Sequence, residues 1–166
     1  MFHQLLFDQK KIRSQSFSYF DGEADRAVEL DYPGQVLIGD ALFTTVRGLF
    51  GELVERGQTR EVQYLPTLAR VRLDHKPLEW SLVRVSRSGK PENIKVPAGT
   101  FEADAYTFEF KDQPKLTVFV ESKEPKRVIK WEAEDGEKGE MIGSQRMQYW
   151  KLNKIKDEAL LKKLGM

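Results

Sequence analysis

The chain has 166 residues, 40% of them hydrophobic and 32% charged, which is enough for one well-buried core and too little for two comfortable domains, so residues 1–166 read as a single β-rich domain. Lys and Arg number 27 against 26 Asp and Glu, for a formal net charge of +1, so no global field points to nucleic acid and no nucleic-acid partner is expected. There is no cysteine, which excludes disulfides, zinc-thiolate sites, iron–sulfur clusters and cysteine nucleophiles, and no stretch approaches the roughly 20 apolar residues of a membrane span.

Residues 2–7 are short and apolar, an edge strand or the frayed start of the chain. No basic region precedes them and no small-residue cleavage site follows, so no export signal is visible; a mature chain restarted with a methionine would look the same. Residues 12–20 place Ser14, Ser16 and Ser18 on one parity and Phe17 and Tyr19 on the other, a period of two that predicts a strand with one polar face. Asp21-Gly22 marks a turn, and residues 27–32 form a further strand closed by Pro33-Gly34. The period then changes. Leu42, Phe43, Val46, Leu49 and Phe50 make a helical apolar stripe over residues 40–50, with Asp40 placed as N-cap, Gly51 as C-terminal stop and Gly48 as an internal cost.

Strands are expected again at residues 61–65, 68–73 and 78–86; in the last, Leu78, Trp80 and Leu82 share one face and Val83 and Val85 the other. Ser88-Gly89-Lys90-Pro91 breaks the pattern. Ile94 and Val96 share a face before Pro97-Ala98-Gly99-Thr100, where Pro97 suits the second position of a type I turn and Gly99 the fourth. Strands follow at residues 101–111, 116–120, 128–133 and 140–152, with a turn at Asp135-Gly136, and residues 157–164 form a short terminal helix stopped by Gly165. The fold class is therefore mainly β: a curved antiparallel sheet or incomplete β-barrel, with one internal helix at or inside its mouth and a short C-terminal helix.

Two stretches carry a resemblance. Ile94, Val96, Ala98, Gly99, Phe101 and Ala103 form an aliphatic-x-aliphatic-x-Ala-Gly-x-Phe-x-Ala turn, and Pro125, Arg127, Val128 and Lys130 form a Pro-x-Arg-Val-x-Lys strand; the arginine-bearing helix ALFTTVRGLF precedes both. Together they resemble an uncharacterised family of bacterial exported β-proteins, over about two thirds of the chain. The resemblance implies a periplasmic or cell-envelope location and a curved antiparallel sheet. It also implies a loose kinship with lipoprotein-carrier half-barrels, which shelter acyl chains on a concave face.

No residue pattern of an enzyme stands out: there is no G-x-S-x-G elbow, no P-loop and no G-x-G-x-x-G after a strand. No cofactor and no metal is expected, since His3 and His75 lack neighbouring ligands and read as surface or loop residues. Glu102 with Asp104, and Glu132 with Glu134, share strand faces two residues apart; a solvated sheet face accounts for both pairs, and an unrecognised carboxylate-dependent hydrolase is the remaining enzyme reading. Trp80, Trp131 and Trp150 sit on expected strands among Phe101, Tyr106, Phe108, Phe110 and Phe119, as a core or as the lining of an apolar pocket; both demand the same residue types. Arg47, the charged residue within the helix, is either exposed or reaches over the sheet mouth to a carboxylate or an acidic head group.

The expected function is a non-enzymatic envelope protein that binds a lipid, an acylated protein or another hydrophobic ligand on a concave apolar surface. Arg47, Phe43, Trp80, Trp131 and Trp150 are the candidate ligand-binding residues. The alternative is a protein-interaction or scaffolding module for an envelope partner, using an open sheet edge or the Trp-rich face.

Overall fold

A computed structural model describes residues 2–8, 10–22, 25–152 and 154–164, the side chains of Phe2, Tyr149, Lys156 and Lys163 excepted. The protein is mainly β, built from a three-stranded and an eight-stranded sheet without barrel closure. The small sheet is an antiparallel meander of β1 (Phe2–Phe7), β2 (Lys11–Phe17) and β3 (Arg26–Asp31) in that spatial order. Gly22, at φ 75°, lies in the connection between β2 and β3, in the left-handed region that glycine occupies without a Cβ penalty.

The serine face of β2 points inward, against expectation. Ile12 shares its parity with Ser14 and Ser16, and burying that isoleucine takes Ser14 to 5% exposure while Phe17 and Tyr19 turn to solvent. The buried Ser14 hydroxyl is satisfied by His3, whose Nε2 lies 2.8 Å away. On the outer face Glu29 pairs across the sheet with Lys11 at 2.7 Å and Arg13 at 3.0 Å.

The large sheet contains β4 (Val36–Ile38), β5 (Thr59–Leu65), β6 (Ser81–Arg87), β7 (Glu92–Val96), β8 (Gly99–Phe110), β9 (Leu116–Glu121), β10 (Val128–Ala133) and β11 (Lys138–Glu140). Its path runs β11-β10-β9-β8-β6-β5-β4, and β7 pairs β8 off that path. All pairings are antiparallel except β4 with β5, which is parallel and so needs a crossover between them. β8 shares one edge between two partners: Gly99–Ala103 pairs β7 and Tyr106–Phe110 pairs β6. The sheet curls there. Met141 accepts from the Ala98 amide at 3.0 Å and donates to the Ile129 carbonyl at 2.8 Å, tying the β7–β8 hairpin to the far strands over Val96, Ala103 and Ile129.

The main core lies on the other face of β8 and β9. Tyr106, Phe108, Val118 and Val120 meet Val83, Val85, Val62 and Tyr64 from β5 and β6, and Leu42, Val46, Leu53 and Val54 cap them. Phe108 is wholly buried, and burying such a side chain contributes about 1.5–3 kcal/mol. A second cluster of Ile12, Leu65 and Leu78, with Leu5, Leu30, Ile38, Leu68, Val71 and Trp80 against it, joins the small sheet to the large one.

Three expected elements change identity. The helix over residues 40–50 shrinks to a 3-10 turn at Gly39–Ala41 and one α-turn, α1 (Leu42–Thr45), because Gly48 takes φ 77° and breaks the ladder. Of the stripe only Leu42 and Val46 are buried; Phe43, Leu49 and Phe50 are exposed. Residues 68–73 form a helix, α2 (Leu68–Asp74), rather than a strand. Thr67 Oγ1 accepts from the Arg70 amide, His75 at φ 52° ends the helix, and Leu68 and Val71, three apart, face the second cluster. Asp40 does not cap its own turn; it accepts from the Leu68 amide at 3.0 Å and so caps α2. The strand expected over residues 140–152 ends at Glu140; residues 141–148 have no regular structure, and Tyr149–Lys151 is a 3-10 turn. The terminal helix is a 3-10 helix, Ile155–Leu164, and Gly165 lies outside the described residues.

Candidate functional site

Among the described residues, a wide apolar concavity lies where the small sheet meets the open edge strand of the large one. It is a cleft of about 660 Å³. Leu5 and Phe7 of β1 and Tyr32 after β3 form one wall; Val36 and Ile38 of β4, with Ala41, form the other. Phe50, Gly51, Glu52 and Leu53 close one side, and Leu68 of α2 contributes to the lining. Leu5, Ile38 and Leu68 belong to the cluster between the sheets and Leu53 to the main core, so the cleft follows the seam between two hydrophobic clusters. Phe7 and Phe50, at 57% and 74% exposure, leave large apolar surface beside it. A pocket of roughly 300–1,000 Å³ with apolar walls and a few placed polar groups is the usual form of a small-molecule site.

The polar groups in the lining are Gln35, Asp40, Thr45 and Glu52, with the Tyr32 hydroxyl. Thr45 is turned onto its own helix, donating to the Ala41 carbonyl at 2.9 Å. Glu52 is held from behind: Arg87 Nη1 donates to its Oε1 at 2.7 Å. Arg87 in turn donates through Nη2 to Asp104 Oδ2 at 2.9 Å, and Arg56 Nη2 reaches the same oxygen at 2.9 Å. Asp104 is buried and Arg87 is half-buried, with 3% and 9% of their side chains exposed, and the Arg87 guanidinium lies 5.3 Å from the centre of the Tyr106 ring. Burial pushes the Asp104 carboxyl upward, but the hydrogen bonds from Arg56 and Arg87 outweigh it and hold the group below its ordinary range. Asp104 is therefore buried and not on the wet face that its sequence pattern predicts. Asp104 shares parity with Tyr106 and Phe108, and that parity faces the core, leaving Glu102 exposed at its end.

Asp104 Oδ1 and Arg87 Nε have no protein hydrogen-bond partner among the described residues. A cavity of about 10 Å³ beside them, lined also by Glu52, Tyr106, Glu121 and Lys126, is at the lower limit for one water. Thr45, Glu52 and Leu53 line both this cavity and the cleft.

The structure scatters the residues expected to bind ligand. Arg47 donates from Nε to the Lys126 carbonyl at 2.9 Å and from Nη2 to the Pro125 carbonyl at 3.4 Å, fastening α1 to the β9–β10 connection. Phe43 and Trp131 do meet, with ring centres 6.3 Å apart, over a shallower groove of about 370 Å³ that Val128 and Met141 also line. A β-bulge between Val128 and Lys130 causes this: it puts Val128 opposite Val120 and Trp131 opposite Val118, so both face the main core, which strict alternation forbids. Trp131 also packs over Gly139 of β11, where a Cβ would collide with the indole nitrogen. Trp80 packs against the second cluster and donates to the Asp31 carbonyl at 2.9 Å. It lines a groove of about 470 Å³ of mixed character, with Val71, Leu82 and Phe110 beside Arg70, Asp74 and Lys111. Trp150 is 63% exposed on the 3-10 turn. None of the five lines the large cleft.

The residues that do line it carried weak signals. Leu5 and Phe7 share parity in the apolar start of the chain, and Phe50 followed by Gly51 ends the stripe; nothing local shows that the two stretches meet. Among the described residues no group of three or more His, Asp or Glu is placed to hold a metal, and no helix is long and apolar enough to cross a membrane. Comparison of the chain with protein-family models, with curated proteins and with solved structures finds no match.

Proposed function

We propose that the protein is a non-enzymatic binder of a hydrophobic ligand, a lipid or an acyl chain carried by another molecule, which enters the cleft between the two sheets. The single observation that carries this reading is an apolar cleft of about 660 Å³ whose lining includes Leu5, Ile38 and Leu68 from one packed cluster and Leu53 from the other. Binding would remove acyl surface from water at roughly 25 cal/mol per Å². A cell-envelope location, which rests on the resemblance carried by residues 94–103 and 125–130, belongs to the same proposal.

The test is a chain-length series. Neutral alkyl alcohols of increasing length are titrated calorimetrically, and native mass spectrometry with lipid extraction is run on protein from its own host. Each added methylene is worth about 0.8 kcal/mol when buried, so affinity rises about fourfold per carbon until the cleft is filled. Val36→Trp, which places an indole in the lining, shortens the chain length at which the rise stops. A flat series, together with no co-purifying lipid, overturns the proposal.

A second reading has one observation in its favour. Phe43 and Trp131 present a paired aromatic surface on a shallow groove, a form suited to a side chain of a protein partner. Substituting both to Ser would abolish a partner contact there and leave alkyl binding unchanged.

A further inference from the structure

Resting on the reading of the cleft as a ligand site, we infer that its ligand has a cationic head, an amphiphile ending in an ammonium group rather than in a carboxylate or phosphate. The charged side chains in the lining are Asp40 and Glu52, both negative. Carboxylates only accept hydrogen bonds, and each offers roughly four lone-pair sites. Among the described residues, Asp40 is engaged by the Leu68 amide at 3.0 Å and Glu52 by Arg87 at 2.7 Å. Both therefore keep acceptor capacity for a donor that arrives with the ligand.

Among the described residues the nearby arginines are committed elsewhere, and Lys126 lines the small cavity behind Glu52 rather than the cleft. Arg87 is 9% exposed and lies behind Glu52, shared between Glu52 and Asp104. Arg47 is spent on the Pro125 and Lys126 carbonyls, and Arg70 pairs with Asp74 at 2.8 Å. An anionic head would thus meet two like charges with no cation in the lining to receive it. Asp40 and Glu52 are both exposed, so solvent and salt screen the discrimination and it is strongest at low ionic strength.

The experiment compares three probes of one chain length, dodecylamine, dodecanol and dodecanoate, each below its aggregation concentration, by calorimetry at neutral pH and low ionic strength. The expected order is amine, then alcohol, then carboxylate, with the amine at least about tenfold tighter than the carboxylate and the gap narrowing as salt is added. Gln35→Lys puts a cation into the lining at an exposed residue and should reduce or reverse the preference. Glu52→Gln should shrink the amine advantage in the same way. If dodecanol binds but the carboxylate binds as well as the amine, the charge inference is overturned and the apolar reading stands. If dodecanol itself does not bind, the reading beneath it fails. An amine preference that Gln35→Lys leaves untouched also overturns the inference, because it places the ammonium somewhere else.

Discussion

Arg56 and Arg87 donate to the same oxygen, Asp104 Oδ2, at the same distance of 2.9 Å, which makes them a matched pair for asking whether distance or burial sets the worth of an ion pair. The Arg56 side chain is 42% exposed and that of Arg87 is 9% exposed. Water can replace Arg56, so Arg56→Ala should cost at most about 1 kcal/mol, the upper range for exposed pairs. Water cannot easily replace Arg87. Its removal leaves a carboxylate that is 3% exposed with one peripheral partner and strips the cation from the Tyr106 ring, so Arg87→Ala should cost about 3–5 kcal/mol. For a chain of this size that is a fall in Tm of about 6–20 °C, against less than about 4 °C for Arg56→Ala. The double variant Arg87→Met with Asp104→Leu removes both buried charges and should recover most of the loss, because apolar side chains of similar volume do not pay for desolvating ions. Urea denaturation of the four proteins reads these differences directly. Equal costs for the two arginines, or a double variant less stable than Arg87→Ala alone, would refute the reasoning.

Other outcomes follow from single residues. Burial holds the His3 imidazole below its ordinary value of 6.5, with Asp40 partly offsetting the shift. The unfolded chain therefore binds that proton more readily than the folded one. His3 contributes its full stability above about pH 6.5, loses it as pH falls below that value, and contributes no further slope once pH is under the folded value. Melts from about pH 7.5 to about 5 should show this slope, and His3→Gln should remove it; an identical slope in the variant refutes the assignment. Gly139→Ala should destabilise by about 1–3 kcal/mol and change the near-ultraviolet dichroism, since the new methyl collides with Trp131, even though alanine is better than glycine in a free strand. Gly48→Ala should destabilise by about 1 kcal/mol because of its φ of 77°; stabilisation by a similar amount would show that a helix runs through residues 40–50 after all.

Which parts of this protein are legible in its sequence follows from the range over which each interaction acts. Period-two alternation and turn residues are local, and they were sufficient for the mainly β class, for the hairpin at Pro97-Ala98, for the Asp21-Gly22 and Asp135-Gly136 turns, and for the strands around Val83, Phe108 and Val118. The same local rules failed where a distant contact chose between two conformations. Residues 68–73 alternate well enough for a strand, but Thr67 and the remote Asp40 cap them as a helix. Ser14 looked outward until Ile12 had to be buried beneath the second sheet. Asp104 resembled any other strand carboxylate, since only the fold brings Arg56 and Arg87 to it from 48 and 17 residues away. Alternation cannot foresee a bulge, so the face of Trp131 was beyond it. The cleft is the extreme case. Its walls come from the first strand, the β4 edge and the Phe50–Leu53 stretch, each unremarkable alone, and it exists only because two sheets bury their apolar faces along one seam. Local alternation is enough to require a core of strands; where that core stays open depends on long-range packing, because an opening is a property of how distant surfaces meet.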